Sequence, residues 1–114
     1  RITINNSELH GMNFEYLNTE DARINIRNSS FNDVYFSIDL SNAQIIDSEF
    51  VDPIFSNIDM SHARINNTIL INPIFENVDL SRANLSGTEI IGGTFTGVTT
   101  GDRPLGCTGH PICD

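Results

Sequence analysis

Large apolar residues recur at every fifth position through the middle of the chain: Ile45, Phe50, Phe55, Met60, Ile65, Leu70, Phe75, Leu80, Leu85, Ile90 and Phe95. Two residues before each stands a second, usually smaller one: Ala43, Ser48, Pro53, Ile58, Ala63, Thr68, Pro73, Val78, Ala83, Thr88 and Gly93. The unit reads small, polar, large, polar, polar. A helix turns about 100° per residue and a strand about 180°, so neither keeps a five-residue period on one buried face. No useful window carries apolar residues at helical spacing. If each unit is one side of a coil and the chain turns a corner between units, both apolar positions point inward on every side. The pattern therefore predicts a four-sided solenoid in which residues twenty apart stack.

Each predicted side has its own chemistry. The first carries Phe14, Phe36, Phe55, Phe75 and Phe95, beside Met12, Val34, Pro53, Pro73 and Gly93. The second carries Leu40, Met60 and Leu80, beside Ile38, Ile58, Val78 and Val98. On the third, Ile24, Ile45, Ile65 and Leu85 are each preceded by alanine at 22, 43, 63 and 83. The fourth carries Leu9, Phe31, Phe50, Leu70 and Ile90, beside Ser7, Ser29, Ser48, Thr68 and Thr88. The spacing slips twice: Phe36 to Leu40 is one residue short and Ile24 to Phe31 two too long. These slips predict a tightened corner near Ser37 and a bulge within Asn25–Ser30.

The units A-N-L at 83–85, V-D-L at 78–80, I-D-L at 38–40 and S-E-F at 48–50 make the chain resemble the pentapeptide-repeat family. Its loose consensus is a small residue, then Asp or Asn, then Leu or Phe, then two variable residues. The resemblance covers roughly residues 2–100 and departs from the pattern at Pro53 and Pro73. It implies an all-β fold, a right-handed quadrilateral parallel β-helix. At a coil spacing of about 4.8 Å, nearly five coils make a rod of roughly 24 Å with a filled interior. Residues 1–100 are expected to form this β-helix, and 101–114, which lose the period, an irregular C-terminal cap or tail with Leu105 and Ile112 inserted over the end. Ile2 and Ile4 already look like coil residues with nothing to cover them. That end calls for upstream sequence or end-to-end self-association through the N-terminal coil. The start at Arg1 points to a processed or partial chain.

Six Lys and Arg stand against fifteen Asp and Glu in 114 residues, a net charge of −9. This disfavours nucleic acid and anionic membranes as partners. No apolar run approaches the roughly 20 residues of a membrane span, so a soluble protein is expected. Asp39, Asp59 and Asp79 should stack, and a column of carboxylates can attract a cation. Because oxygens in a straight line on a convex face do not enclose an ion, the structural reading is preferred, with Arg64 and Arg82 relieving repulsion. His10 and His62 lie on outward positions without a Ser or Cys to activate, and no phosphate loop or paired-carboxylate cleft is present. No enzyme activity and no cofactor are expected.

The tail string Cys107, His110, Cys113, Asp114 admits three readings: a Cys107–Cys113 disulfide, free thiols, or a metal site of unusual spacing. A disulfide fits a secreted or lumenal setting, and thiols a bacterial cytoplasm. Four Asn-x-Ser/Thr sequons, at Asn5, Asn28, Asn66 and Asn84, are expected by chance in so Asn-rich a chain. One outward feature exceeds what the fold needs. Val51, Ile71 and Ile91 follow the large residue of the fourth side, and Tyr35, Ile54 and Ile74 precede that of the first, with Ile69 beside them. Stacking should gather them into a ridge, and apolar patches of this kind mark contacts. The functional expectation is a non-catalytic structural and protein-interaction module presenting a rigid repeat surface to a protein partner. The alternative implied by the resemblance is an acidic DNA mimic that binds a topoisomerase such as gyrase.

Overall fold

The structure, a computed structural model, describes residues 2–15 and 23–114. Fourteen short strands run in chain order: β1 Ile2–Asn5, β2 Glu8–His10, β3 Asn13–Glu15, β4 Ile24–Arg27, β5 Ser30–Asn32, β6 Tyr35–Ser37, β7 Gln44–Ile46, β8 Glu49–Val51, β9 Ile54–Asp59, β10 Arg64–Asn66, β11 Ile69–Ile71, β12 Ile74–Asp79, β13 Glu89–Ile91 and β14 Thr94–Thr96. They form three parallel sheets, ordered β1-β4-β7-β10, β13-β11-β8-β5-β2 and β14-β12-β9-β6-β3. The second side is carried partly by the far ends of β9 and β12, where Val78 pairs with Ile58 and Asp79 with Asp59. The chain is thus a parallel β-solenoid whose sides are the five-residue units. No helix among the described residues is long and apolar enough to cross a membrane.

The period has a backbone cause. From Ile45 to Leu80 the second residue after each large core residue adopts a positive φ: Asp47 at 55°, Asp52 at 56°, Asn57 at 54°, His62 at 62°, Asn67 at 52°, Asn72 at 51°, Asn77 at 53° and Arg82 at 61°. Glycine takes the same place at Gly87, Gly92 and Gly97. This left-handed conformation costs an ordinary L-residue about 1–2 kcal/mol, and Gly, Asn and Asp tolerate it best. The abundance of Asn and Asp is therefore a corner requirement. At the corner leaving the second side, Ala43, Ala63 and Ala83 donate their N–H groups to the carbonyls of Leu40, Met60 and Leu80 at 3.0, 3.1 and 3.0 Å. Each closes a β-turn with the positive φ at its third residue, as in type II.

Inside, the ladders are in contact. Phe14, Phe36, Phe55, Phe75 and Phe95 stack with successive centroid separations of 5.1, 5.2, 4.7 and 4.9 Å, and Phe31 lies 4.5 Å from Phe50. These separations match the spacing of paired strands, so ring stacking and backbone pairing are satisfied by one geometry. The inward hydroxyls are paired as well. The Oγ atoms of Ser29 and Ser48 and the Oγ1 of Thr68 donate to the carbonyls of Arg27, Ile46 and Asn66, and accept the N–H groups of Ser7, Ser29 and Ser48. No buried side-chain polar atom among the described residues lacks a partner.

The register corrects two readings of the sequence. Ile26, not Ile24, pairs with Ile45 and is completely buried. Ile24 fills the smaller inward slot that Ala43 and Ala63 take on the later coils. Ile26 to Phe31 is then a regular five-residue step, and no bulge is needed within Asn25–Ser30. Since Ile4 pairs with Ile26 and Phe14 with Phe36, the extra length lies between β3 and β4. The expected alanine partner at 22 lies outside the described residues. Near Ser37 the corner is tightened: Phe36 pairs with Phe55 and the Leu40 N–H reaches the Asp59 carbonyl at 2.9 Å, so one residue of the Ser56–Asn57 pair has no counterpart. No residue between Phe36 and Leu40 has a positive φ. Met12 keeps its expected place, its carbonyl accepting from the Tyr35 N–H at 3.0 Å, yet its side chain is exposed on the first coil.

The tail continues the coil path. The Leu105 carbonyl accepts from the Leu85 N–H at 2.7 Å, and Thr108 bonds Thr88 and Ile90. Leu105 is buried and Ile112 packs half-buried against the core. The His110 ring lies 4.3 Å from Phe95, ending the aromatic stack. Its Nδ1 accepts from the Ile112 N–H at 3.0 Å and caps a 3-10 turn over Pro111–Cys113.

The corner requirement is testable at Asn67, whose φ is 52°. Asn67→Ala should lower unfolding free energy in urea by about 1 kcal/mol, whereas Asn67→Gly should cost only a few tenths at most. Equal losses for both would show that the side chain and not the backbone matters there.

Candidate interaction surface

The sheets bring the outward apolar residues into two columns. Val51, Ile71 and Ile91 are consecutive register partners. Tyr35, Ile54 and Ile74 form the second column, which continues to Asn13 at one end and Thr94 at the other. On β11 the inward Leu70 separates Ile69 from Ile71, so both face outward, and Ile69 lies between Glu49 and Glu89 of the neighbouring strands. Tyr35, Val51, Ile54 and Ile71 are half-buried. Ile69, Ile74 and Ile91 are exposed at 37%, 37% and 45%. Between the columns runs the corner row Asp33, Asp52, Asn72 and Gly92, all exposed. The surface is therefore two apolar strips divided by a polar seam. The seam was legible, since each of its members stands two residues after a core residue, but only once that place is known to turn the chain.

The acidic column is built differently from a cation site. Asp39, Asp59 and Asp79 each accept the backbone N–H of the serine two residues on, at 2.8 Å in all three cases. This local bond fixes the approach to the corner. Arg64 and Arg82 do not form the expected ion pairs with these carboxylates; among the described residues the one ion pair joins His10 to Glu8 at 2.8 Å. Each carboxylate is engaged instead by its local hydrogen bond to serine. The Asp79 carboxyl also accepts the Ser81 hydroxyl at 2.6 Å. That bond, the Ser81 N–H and the nearby His62 hold Asp79 below the usual carboxylate range.

In the tail, Cys107 and Cys113 are bonded, with Cα atoms 5.0 Å apart. His110 is engaged by Ile112 and Phe95. Among the described residues, no three His, Cys, Asp or Glu side chains converge as metal ligands would. His62 occupies a corner on the opposite part of the surface from the exposed His10–Glu8 pair.

A family model described as pentapeptide repeats (8 copies) matches residues 70–99, and the same five-residue unit runs through the described coils. The chain has the fold of a pentapeptide-repeat β-helix. Its fold is similar to that of a pentapeptide-repeat protein, Rfr23, from the cyanobacterium Cyanothece 51142, at 14% identity and a TM-score of 0.55, over 96% of this chain and 88% of that one. Full-length QnrB1, a plasmid-mediated fluoroquinolone resistance protein, aligns at 15% identity with a TM-score of 0.41, over 92% of this chain and 71% of that one. No curated protein matches the chain.

The Asp79 geometry gives a pH dependence of definite sign. A carboxyl whose folded pKa is depressed stabilises the fold above its unfolded value near 3.9 and loses that contribution as pH falls through the folded value. The stability gap between the parent and Asp79→Asn should therefore shrink between about pH 5 and pH 2 in urea titrations. The effect should be small because the carboxylate is solvated. A gap constant with pH would remove the carboxylate from the account.

Proposed function

We infer that this chain is a non-catalytic display module that presents Tyr35, Val51, Ile54, Ile69, Ile71, Ile74 and Ile91 to a protein partner. The observation that carries this reading is a concentration of apolar surface. Of the four large apolar residues exposed among the described residues, Ile69, Ile74 and Ile91 lie on this one surface, and only Met12 lies elsewhere. Apolar patches on a rigid scaffold favour contacts because docking removes them from water at little ordering cost. Glu49 and Glu89 beside Ile69, with Asp52 on the seam, select a partner whose apolar anchors are flanked by Lys or Arg. The bonded Cys107 and Cys113 fit an oxidising compartment.

Ile54→Asp with Ile74→Asp should leave the β-solenoid intact by circular dichroism and weaken the partner complex about thirtyfold or more, the effect of losing roughly 2 kcal/mol at a binding hot spot. A photo-crosslinking residue at Ile74 should capture the partner, and one at Asn66, on another side, should not. Equal capture at both positions would reduce the ridge to ordinary surface.

The charge of −9 and the in-register Asp39, Asp59 and Asp79 favour a second reading, an acidic rod that occupies the DNA-binding cleft of a topoisomerase such as gyrase. The longest dimension of 30 Å corresponds to about nine base pairs at 3.4 Å each, a short mimic. Inhibition of gyrase supercoiling at micromolar protein supports this reading, and unchanged supercoiling removes it.

A further inference from the structure

Three basic residues of this acidic chain meet in one place. His62 and Arg82 occupy successive coils at the corner leaving the second side, and the tail brings Arg103 over them. Together they line a groove of about 770 Å³. Its floor includes the buried Ala83 and Leu105. Arg64 is the register partner of Asn84, which forms part of the groove wall. Arg82 and Arg103 are exposed and neither joins an ion pair among the described residues. The groove's own carboxylate is Asp102, and Asp79 lies close enough to His62 to feel its charge.

A second observation is independent of charge. All other non-glycine residues in the left-handed conformation among the described residues are Asn or Asp; His62 and Arg82 are the exceptions. The coil before that of His62 uses Asn42 at this corner, with a φ of 62°, so the geometry accepts Asn. The unbranched side chain of Arg82 gains nothing there from the backbone, whereas Asn, and to a lesser degree His, tolerates the conformation. Strained residues retained against an available cheaper choice mark sites where the side chain is used.

We propose that this groove binds a compact oxyanion, a phosphate or carboxylate group on a small organic body, with the Arg82 and Arg103 guanidinium groups as its principal donors. Guanidinium forks match both oxyanions in a two-pronged geometry, and Leu105, Pro104 and Ala83 supply an apolar bed for the attached carbon skeleton. The net charge of the chain opposes anions at long range, so binding depends on short-range hydrogen bonds and its selectivity is set by the fork geometry. The site is separate from the apolar strips, since it lies at a different corner and shares no residue with them.

Inorganic phosphate and succinate, titrated at constant ionic strength and followed by proton–nitrogen correlation spectra, test the proposal. At least one should produce saturable shifts centred on the amides of Ser81, Arg82, Gly101 and Asp102. Phosphate alone saturating assigns the site to phosphate monoesters, and succinate alone assigns it to carboxylates. Arg82→Asn combined with Arg103→Gln should weaken that binding tenfold or more, while Arg27→Gln, on another side, should leave it unchanged. Arg82→Asn alone should raise the thermal unfolding midpoint while weakening binding, a pairing that a merely structural arginine would not produce. Shifts that fail to saturate with both anions, or that persist in the double variant, overturn the proposal.

Discussion

The structure depends on one backbone constraint, a left-handed residue two places after nearly every described inward anchor. That residue turns the chain by roughly a right angle, and its recurrence makes the five-residue unit a side of a square. Everything else is arranged to keep those corners in line. The Asp39, Asp59 and Asp79 carboxylates hold the strand end before one corner by accepting the serine N–H beyond it. Glycine takes some corners, as at Gly87, whose φ is 80° and where an added Cβ would meet the Oδ1 of Asn67. Because parallel coils share one spacing, a corner out of phase would lose both the hydrogen bonds and the aromatic stack at once. The two kinds of interaction reinforce a single register.

How much of this was legible follows from which residues carry redundant signals. From Ile45 to Phe95 the period is unbroken, and four dissimilar ladders fix the stacking independently. Before Ile45 the signal divides, because Ile24 and Ile26 are both apolar and both inward. The alanine at 22 seemed to settle the choice by analogy with the later coils, yet the pairing of Ile2 with Ile24 and Ile4 with Ile26 decides it. Two isoleucines can fill the slots that alanine and isoleucine fill elsewhere because an early coil has different neighbours. The short step at Phe36 to Leu40 was visible as a deletion, but that the missing residue was the left-handed one was not.

The outward surface was readable only in part, for a different reason. Outward columns follow directly from the register, so Val51, Ile71 and Ile91 group from the sequence alone. What separates them from Tyr35, Ile54 and Ile74 is the corner row, whose role comes from backbone dihedrals that composition does not reveal. The basic groove was hidden more deeply. Arg103 lies in the aperiodic tail, and only the path of that tail back over Leu85 brings it to Arg82.

The hydroxyl ladder running through Ser7, Ser29, Ser48, Thr68 and Thr88 has a further consequence. Ser29, Ser48 and Thr68 each donate to the carbonyl two residues back and accept an N–H from the preceding coil, and Thr88 accepts one from Thr68, so these N–H donors all point in one sense. A file of aligned dipoles buried in an apolar column gives the two ends of the solenoid unlike electrostatic character. Inverting a single coil would set donor against donor inside the protein. The molecule therefore has an intrinsic direction, and any assembly that continued its interior would have to join unlike ends.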